Sequence, residues 1–240
     1  MKDIIDGIVR WMKEYLHSNN GEGYVIGVSG GVDSTVLSTI LQVNNINYLA
    51  YHFKFDENEN TTNPLIKHLV ESGKYNIQLV DMSTSFGVLY NDVYTETGFD
   101  FDKFLFKTIL KAKLGSLYLH QQAHIKNYFV PGTINLDEFT LGYFVKNICI
   151  EDLLPFAKIP KRIIREMGKY LGLPVELMEL KASGCVYGTT AENEWGFTEF
   201  DLHNILRYQF ENVDEQTRNR FRHLKNRSTH KRVYPPIYNL

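Results

Sequence analysis

Residues 24 to 41 read YVIGVSGGVDSTVLSTIL, an apolar run, a turn of small residues and a helix pattern in immediate succession. The run YVIGV (24–28) does not alternate with polar residues, which marks a strand buried on both faces, as in a parallel sheet. After it, Asp33 to Val43 carries Val36, Leu37 and Ile40 at helical spacing. Where strands and helices alternate in this way along a chain, a parallel sheet covered on both faces is expected.

The remaining segments repeat this alternation. NYLAYHFKF (47–55), NIQLVDMS (76–83) and NYFVPGT (127–133) read as three further strands, with helices expected over 62–72 and 102–126. Ile4, Ile5, Ile8, Met12, Tyr15 and Leu16 predict an N-terminal helix that SNNGEG stops. IPKRIIREMGKYLGLP predicts a helix ended by Gly172 and Pro174, and Thr198 to Tyr208 another. KASGCVYGTTAENEWG, rich in small residues, reads as loop. No repeat or linker divides the chain, so the expectation is one α/β domain over residues 1–240, a doubly wound parallel sheet flanked by helices.

The turn itself carries chemistry. Backbone N–H groups at a helix start converge on one point, reinforced by the positive end of the helix dipole, and favour an anion. Gly30 and Gly31 remove the Cβ atoms that would keep a phosphate from the backbone, and Ser29 and Ser34 add hydroxyl donors. A carboxylate at Asp33 repels a phosphate unless Mg²⁺ lies between them, so a phosphate and a magnesium ion are expected together. The plainer alternative is a glycine turn with Asp33 as helix cap. No GKS or GKT follows, so this is not a Walker loop.

Composition excludes some alternatives. With 26 basic and 28 acidic side chains the formal charge is −2, which gives no general attraction to nucleic acid. Cys149 and Cys185 have neither disulfide-framework nor zinc spacing, and a reducing, cytoplasmic setting is expected. No stretch approaches the roughly 18 apolar residues of a membrane span, and the N-terminus lacks a signal-peptide pattern. The aromatic-rich segment Tyr90 to Phe106 reads as core and interface. The run Arg218 to Arg232, with seven Lys and Arg, reads as a solvated helix face or subunit contact rather than an RNA strip.

The S-G-G-x-D-S string resembles the pyrophosphate loop of the N-type ATP pyrophosphatases, which split ATP to AMP and pyrophosphate while adenylating an acceptor oxygen. VPGTINLDEFTLGYFVKN (130–147) resembles the second signature of the NAD synthetases in that group, through Thr133, Glu138, Gly142, Phe144 and Lys146. LLPFAKIPK, with Pro155 and Lys161, is similar to the next family segment. AENEWGF and the tail THKRVYPP are similar to the last two, so the series spans nearly the whole chain in order.

The resemblance implies an adenine nucleotide alpha hydrolase-like fold and ammonia-dependent amidation of deamido-NAD, with ATP as co-substrate and Mg²⁺ as cofactor. It implies ATP contacts at Gly27, Ser29, Gly30, Gly31, Asp33, Ser34, Thr133, Lys161 and Ser183. Metal contacts would come from Asp33 and Glu138, and catalytic roles from Asp33, Glu138 and Lys161. The dinucleotide would meet Lys113, Lys146, Asp152, His230 and Lys231. It also implies a homodimer with its substrate site near the interface and, without a glutamine-hydrolysing domain, free or delivered ammonia.

By base rate Glu138 could be a solvated helix charge and the lysines ordinary surface residues. The sequence departs from the family on the dinucleotide side. KTILKAK replaces G-N-x-x-A-R, so Lys113 stands in for an arginine and its bidentate fork. The segment after Lys146 is shortened to NICIE, so Asp152 aligns only across a gap, and ASGCV lacks an acidic residue at Gly184. Two alternatives therefore stay open. One is a pyrophosphate-loop enzyme acting on a tRNA base or another carboxylate; the other is a non-catalytic ATP or NAD sensor.

Overall fold

The computed structural model describes residues 1–55, 64–73, 75–97, 103–146, 151–180 and 190–238. Helix α1 (Lys2–Ser18) leads to β1 (Gly23–Gly27), α2 (Val32–Val43), β2 (Tyr48–Lys54), α3 (Pro64–Glu71) and β3 (Ile77–Asp81). Then come α4 (Ser83–Thr97), α5 (Lys103–Lys126) and β4 (Tyr128–Phe129). Among the described residues the elements that follow are helices: α6 (Leu136–Leu141), α7 (Lys161–Tyr170), α8 (Val175–Met178), α9 (Ala191–Trp195), α10 (Glu199–Leu206) and α11 (Glu215–Arg227).

The four strands are all parallel in the order β3-β2-β1-β4, with Tyr24 opposite Tyr48 and Ala50 opposite Ile77. Strand β1 is buried on both faces, as its unbroken apolar run predicts. Tyr24, Ile26 and Val28 enter the core formed with α1, α2, α7 and α8, while Val25 packs with Tyr51, Leu119, Ala123 and Val130 under α5. A smaller core gathers Leu141, Trp195, Phe197, Leu202, Ile205 and Phe221 from α6 and the last helices.

Two expectations need correction. The fourth strand stops at Phe129 instead of running through 133. The Val130 N–H goes to the Asp152 carboxylate (2.7 Å) and Pro131 has no N–H to offer, so only an isolated bridge from Pro131 to Leu153 continues the pairing. Within the expected loop 181–196, Ala191–Trp195 is a helix. The Thr190 hydroxyl caps it by accepting from Asn193 N–H, and Gly196 closes it at φ +85°. Residues 181–189 lie outside the described residues.

The aromatic segment does not enter the core: Tyr90 and Phe106 are half-buried and Phe104 is exposed. Phe55, Phe86, Tyr90 and Phe106 form a chain of ring contacts with centroids 5.7 to 6.0 Å apart. Lys107 lies over the Tyr90 ring and Lys111 over Phe55 and Phe86. Among the described residues no helix is long and apolar enough to cross a membrane.

Candidate active site

The sheet order places β1 between β2, which follows it through α2, and β4, which arrives from the other direction. In open α/β sheets such a switch point opens a crevice at the carboxyl ends of the strands. The loop after β1 and the loop after β4 flank it.

In the first loop Gly30 adopts φ +85°, a left-handed turn that only glycine makes without strain, and Gly31 is the N-cap of α2. The two serines hold the loop together. Ser29 N–H donates to the Ser34 hydroxyl (3.3 Å), Gly31 N–H to the Ser29 hydroxyl (3.2 Å), and the Ser34 hydroxyl to the Gly31 carbonyl (3.1 Å). Gly27 ends β1 paired with Tyr51, where an added Cβ would lie 3.1 Å from Leu119 Cδ1.

Asp33 is not the helix cap. Asp33 is buried, 8% exposed, and its side chain turns inward to the Lys161 ammonium on the first turn of α7. Asn135 Nδ2 donates to the other Asp33 oxygen at 3.4 Å. Asn135 also begins α6 with a reciprocal capping box, its Oδ1 accepting from Glu138 N–H (3.0 Å) and Glu138 Oε2 accepting from Asn135 N–H (3.3 Å). The box directs Glu138 back toward Asp33 and Lys161. Thr133 is half-buried just before this turn.

The electrostatics follow from burial. Desolvation and the neighbouring Asp33 charge push the Glu138 carboxyl well above the usual range, against the pull of Lys161. Burial raises Asp137 to about 6, opposed by the hydrogen bond from Lys161 N–H. For Lys161 desolvation disfavours the charge, but Asp33 and Glu138 outweigh it and the ammonium is held above its ordinary range. The Lys161 cation is therefore set on Asp33, with the Glu138 carboxyl beside the pair held toward its neutral form.

As a donor set, two carboxylates suit a magnesium ion that takes its remaining ligands from phosphate and water. Among the described residues no group of three or more His, Cys, Asp or Glu side chains forms a protein-only cage.

The residues expected on the dinucleotide side are less gathered. Lys113 is exposed on α5, His230 is exposed in the tail and Lys146 is half-buried. The Asp152 carboxylate accepts from Val130 N–H, as noted above, while its carbonyl accepts from the Tyr15 hydroxyl (3.2 Å). Lys231 Nζ donates to the carbonyls of Gly142 (2.8 Å) and Phe144 (2.7 Å) and lies over the Phe144 ring. Ser183 lies outside the described residues, as do Cys149 and Cys185.

Of the basic run, Arg218, Arg220, Lys231 and Arg232 donate to backbone carbonyls of Phe210, Trp195, Gly142 and Phe139. These four cations are engaged by backbone carbonyls of neighbouring elements, while Arg222, Lys225 and Arg227 are exposed.

Three residues near the site escaped sequence reasoning. Asn135 and Asp137 are described above; His52, on β2, donates from Nδ1 to the Val28 carbonyl (2.7 Å) and braces the loop from the side. Asn135 could have been read from its Asn-x-x-Glu capping spacing.

A glycine turn at the switch point of a parallel sheet, backed by a buried lysine paired with Asp33 beside Glu138, defines a Rossmann-like domain of the pyrophosphate-loop class. The family model for NAD synthase matches residues 4–235, and the chain belongs to that family. The NH(3)-dependent NAD(+) synthetase of Saccharolobus solfataricus is 32% identical, covering 97% of this chain and 87% of its own. That of Carboxydothermus hydrogenoformans is 30% identical over 83% of this chain and 82% of its own. Among solved structures, NMN synthetase from Francisella tularensis superposes with TM-score 0.89 at 26% identity, over 100% of this chain and 98% of that one. The NH3-dependent NAD synthetase from Campylobacter jejuni gives TM-score 0.80 over 99% of both chains, and at 16% identity it speaks for the fold alone.

Proposed function

We propose that this chain, acting as one catalytic unit over residues 1–240, amidates deamido-NAD with ammonia at the expense of ATP, giving NAD, AMP and pyrophosphate. The observation that carries the proposal is the buried Lys161 set on Asp33 beside Glu138 at the switch point, in a chain matching the family model over nearly its whole length.

The nicotinate carboxylate attacks the α-phosphorus of ATP, the bond from that phosphorus to the α,β-bridging oxygen breaks, and its electron pair leaves with pyrophosphate. Ammonia then adds to the acyl carbon and loses a proton as AMP departs with the C–O electron pair. Both reactants of the first step are anions, so the site must supply positive charge without reorganising. Gly30 and Gly31 bring the backbone close to the phosphates, Ser29 and Ser34 turn hydroxyls toward them, and Lys161 and Thr133 contact the nucleotide. Asp33 and Glu138 would hold Mg²⁺, which supplies charge neutralisation on the leaving pyrophosphate. Lys113, Lys146, Asp152, His230 and Lys231 remain the candidates for the acceptor side.

A homodimer suits the surface. Val88, Leu89 and Val93 on α4 and Phe104 and Leu117 on α5 are exposed apolar side chains on helices that pack together. A substrate set of ATP, magnesium and ammonia suits the cytoplasm.

The superposition with NMN synthetase supports a second reading, in which the acceptor is nicotinate mononucleotide and the product NMN. The departures from the family pattern, at Lys113 and in the shortened segment after Lys146, fall on residues assigned to the dinucleotide. The carboxyl group and its activation are the same in both. Steady-state kcat/KM for the two acceptors, measured with ATP, Mg²⁺ and ammonium, separates the readings. Preference for deamido-NAD supports the first, preference for the mononucleotide replaces it with the second, and turnover of neither overturns both.

A further inference from the structure

Lys161 occupies an awkward position. It is the first residue of α7, where its charge faces the positive end of the helix dipole, and the N-cap before it is Pro160, whose side chain offers no acceptor. The first N–H of α7 is satisfied from another element. Asp137 Oδ2 accepts from Lys161 N–H at 3.2 Å, in a buried pocket where Asp137 is 7% and Lys161 6% exposed.

Asp137 belongs to the same turn as Glu138. A second bond joins the two helix starts in the opposite direction, from Leu136 N–H to the Ile159 carbonyl (3.0 Å). The start of α6 thus carries Glu138 toward the Asp33–Lys161 ion pair on one side and holds the backbone of Lys161 on the other. A lysine side chain has several rotatable bonds and little intrinsic aim. Fixing its backbone at one end while Asp33 holds Nζ at the other leaves it a single path.

We infer that Asp137 is a positioning residue for the ATP-splitting step: by tying the first turn of α7 to the turn that bears Glu138, it sets Lys161 against Asp33 and Glu138. This rests on the reading of Lys161 as a nucleotide contact. A displacement of about 1 Å at such a group costs on the order of 100-fold in rate.

The test uses the full chain and the variants Asp137→Ala, Asp137→Asn and Lys161→Ala, with pyrophosphate release measured against ATP and Mg²⁺. Asp137→Ala is expected to lower kcat between about 10-fold and 100-fold with its Mg²⁺ midpoint unchanged. Asp137→Asn, which keeps an oxygen acceptor for Lys161 N–H, is expected within about 3-fold of wild type. Wild-type kcat in Asp137→Ala beside an inactive Lys161→Ala overturns the positioning role and leaves the site reading standing. A raised Mg²⁺ midpoint in Asp137→Asn overturns it in favour of a metal ligand. Full turnover in Lys161→Ala removes the site reading and the inference with it. If Asp137→Ala loses its cooperative thermal transition, Asp137→Asn decides alone: near-wild-type kcat with an unmoved Lys161 amide resonance supports the inference, and a 10-fold loss overturns it.

Discussion

Replacing Gly142 by alanine should destabilise this protein more than the same change at Gly172, and the difference isolates one contact. Both glycines sit in the left-handed region after a helix, Gly142 at φ +64° and Gly172 at φ +84°. Forcing alanine there costs about 1 to 2 kcal/mol at either site. Around Gly172 an added Cβ meets nothing within 4 Å, so backbone strain is the whole effect. At Gly142 the Cβ would lie 2.2 Å from Ser228 Cβ and 2.3 Å from Ser228 Oγ. Ser228 cannot simply swing away, because its hydroxyl lies within hydrogen-bond reach of the Leu141 (3.0 Å) and Leu224 (2.7 Å) carbonyls and accepts from Arg232. Overpacking a site of this kind adds about 1 to 3 kcal/mol. Gly142→Ala should therefore cost about 2 to 5 kcal/mol in total. Urea midpoints of the two variants and wild type, at constant slope, measure it. Equal losses at the two sites would refute the crowding argument. So would a Gly142→Ala/Ser228→Gly double variant no better than the sum of its singles.

Other consequences can be checked in the same preparations. Burial pushes the Glu151 carboxyl up to about 7, against the pull of His120 (3.0 Å) and a hydrogen bond from Ser116 (3.2 Å). Its ordinary value is 4.5, so the folded state binds this proton more tightly than the unfolded chain does. The stability it contributes is complete below about 4.5 and is lost as pH rises through about 7. Melting temperatures of Glu151→Gln should therefore gain on wild type between pH 5 and pH 8, and parallel profiles would contradict this. Arg165 makes a two-pronged ion pair with Glu199, one prong at 3.1 Å, and Glu199 N–H donates to Glu192 (2.9 Å), which joins α7 to α9 and α10. Arg165→Met should cost about 1 to 3 kcal/mol by calorimetry, and an unchanged transition would show the joint to be incidental. Lys231→Met removes two donors from the carbonyls after α6. It should lower stability by about 1 to 3 kcal/mol whatever the acceptor, whereas a pure rise in acceptor KM would return Lys231 to the ligand-contact role.

What could be read from the sequence was dense and local. The run 24–43 contains its own strand, turn and helix start, and all three formed within a residue of expectation because each is fixed by neighbours a few positions away. The capping box at Asn135 and Glu138 is similarly local. The pairing of Lys161 with Asp33 spans 128 positions, and no periodicity links the two. Only the resemblance put both in one site. Nothing near Asp137 in the sequence announces that its partner is the N–H of a helix 24 positions away. The early end of β4 was legible, since Pro131 stood in the expected strand and cannot donate to a ladder. The small helix at 191–195 hid in a string of small residues, although Thr190 and Gly196 framed it with a cap and a stop.

The central claim is that the cluster of Asp33, Glu138 and Lys161 splits ATP to activate a nicotinate carboxyl for ammonia. One end-point measurement tests it most directly: purified protein with deamido-NAD, ATP, Mg²⁺ and ammonium, with NAD, AMP and pyrophosphate all quantified, and Asp33→Ala run alongside. The account predicts equal amounts of the three products from wild type and none from the variant. ADP and phosphate in place of AMP, or undiminished amide formation by Asp33→Ala, would contradict it.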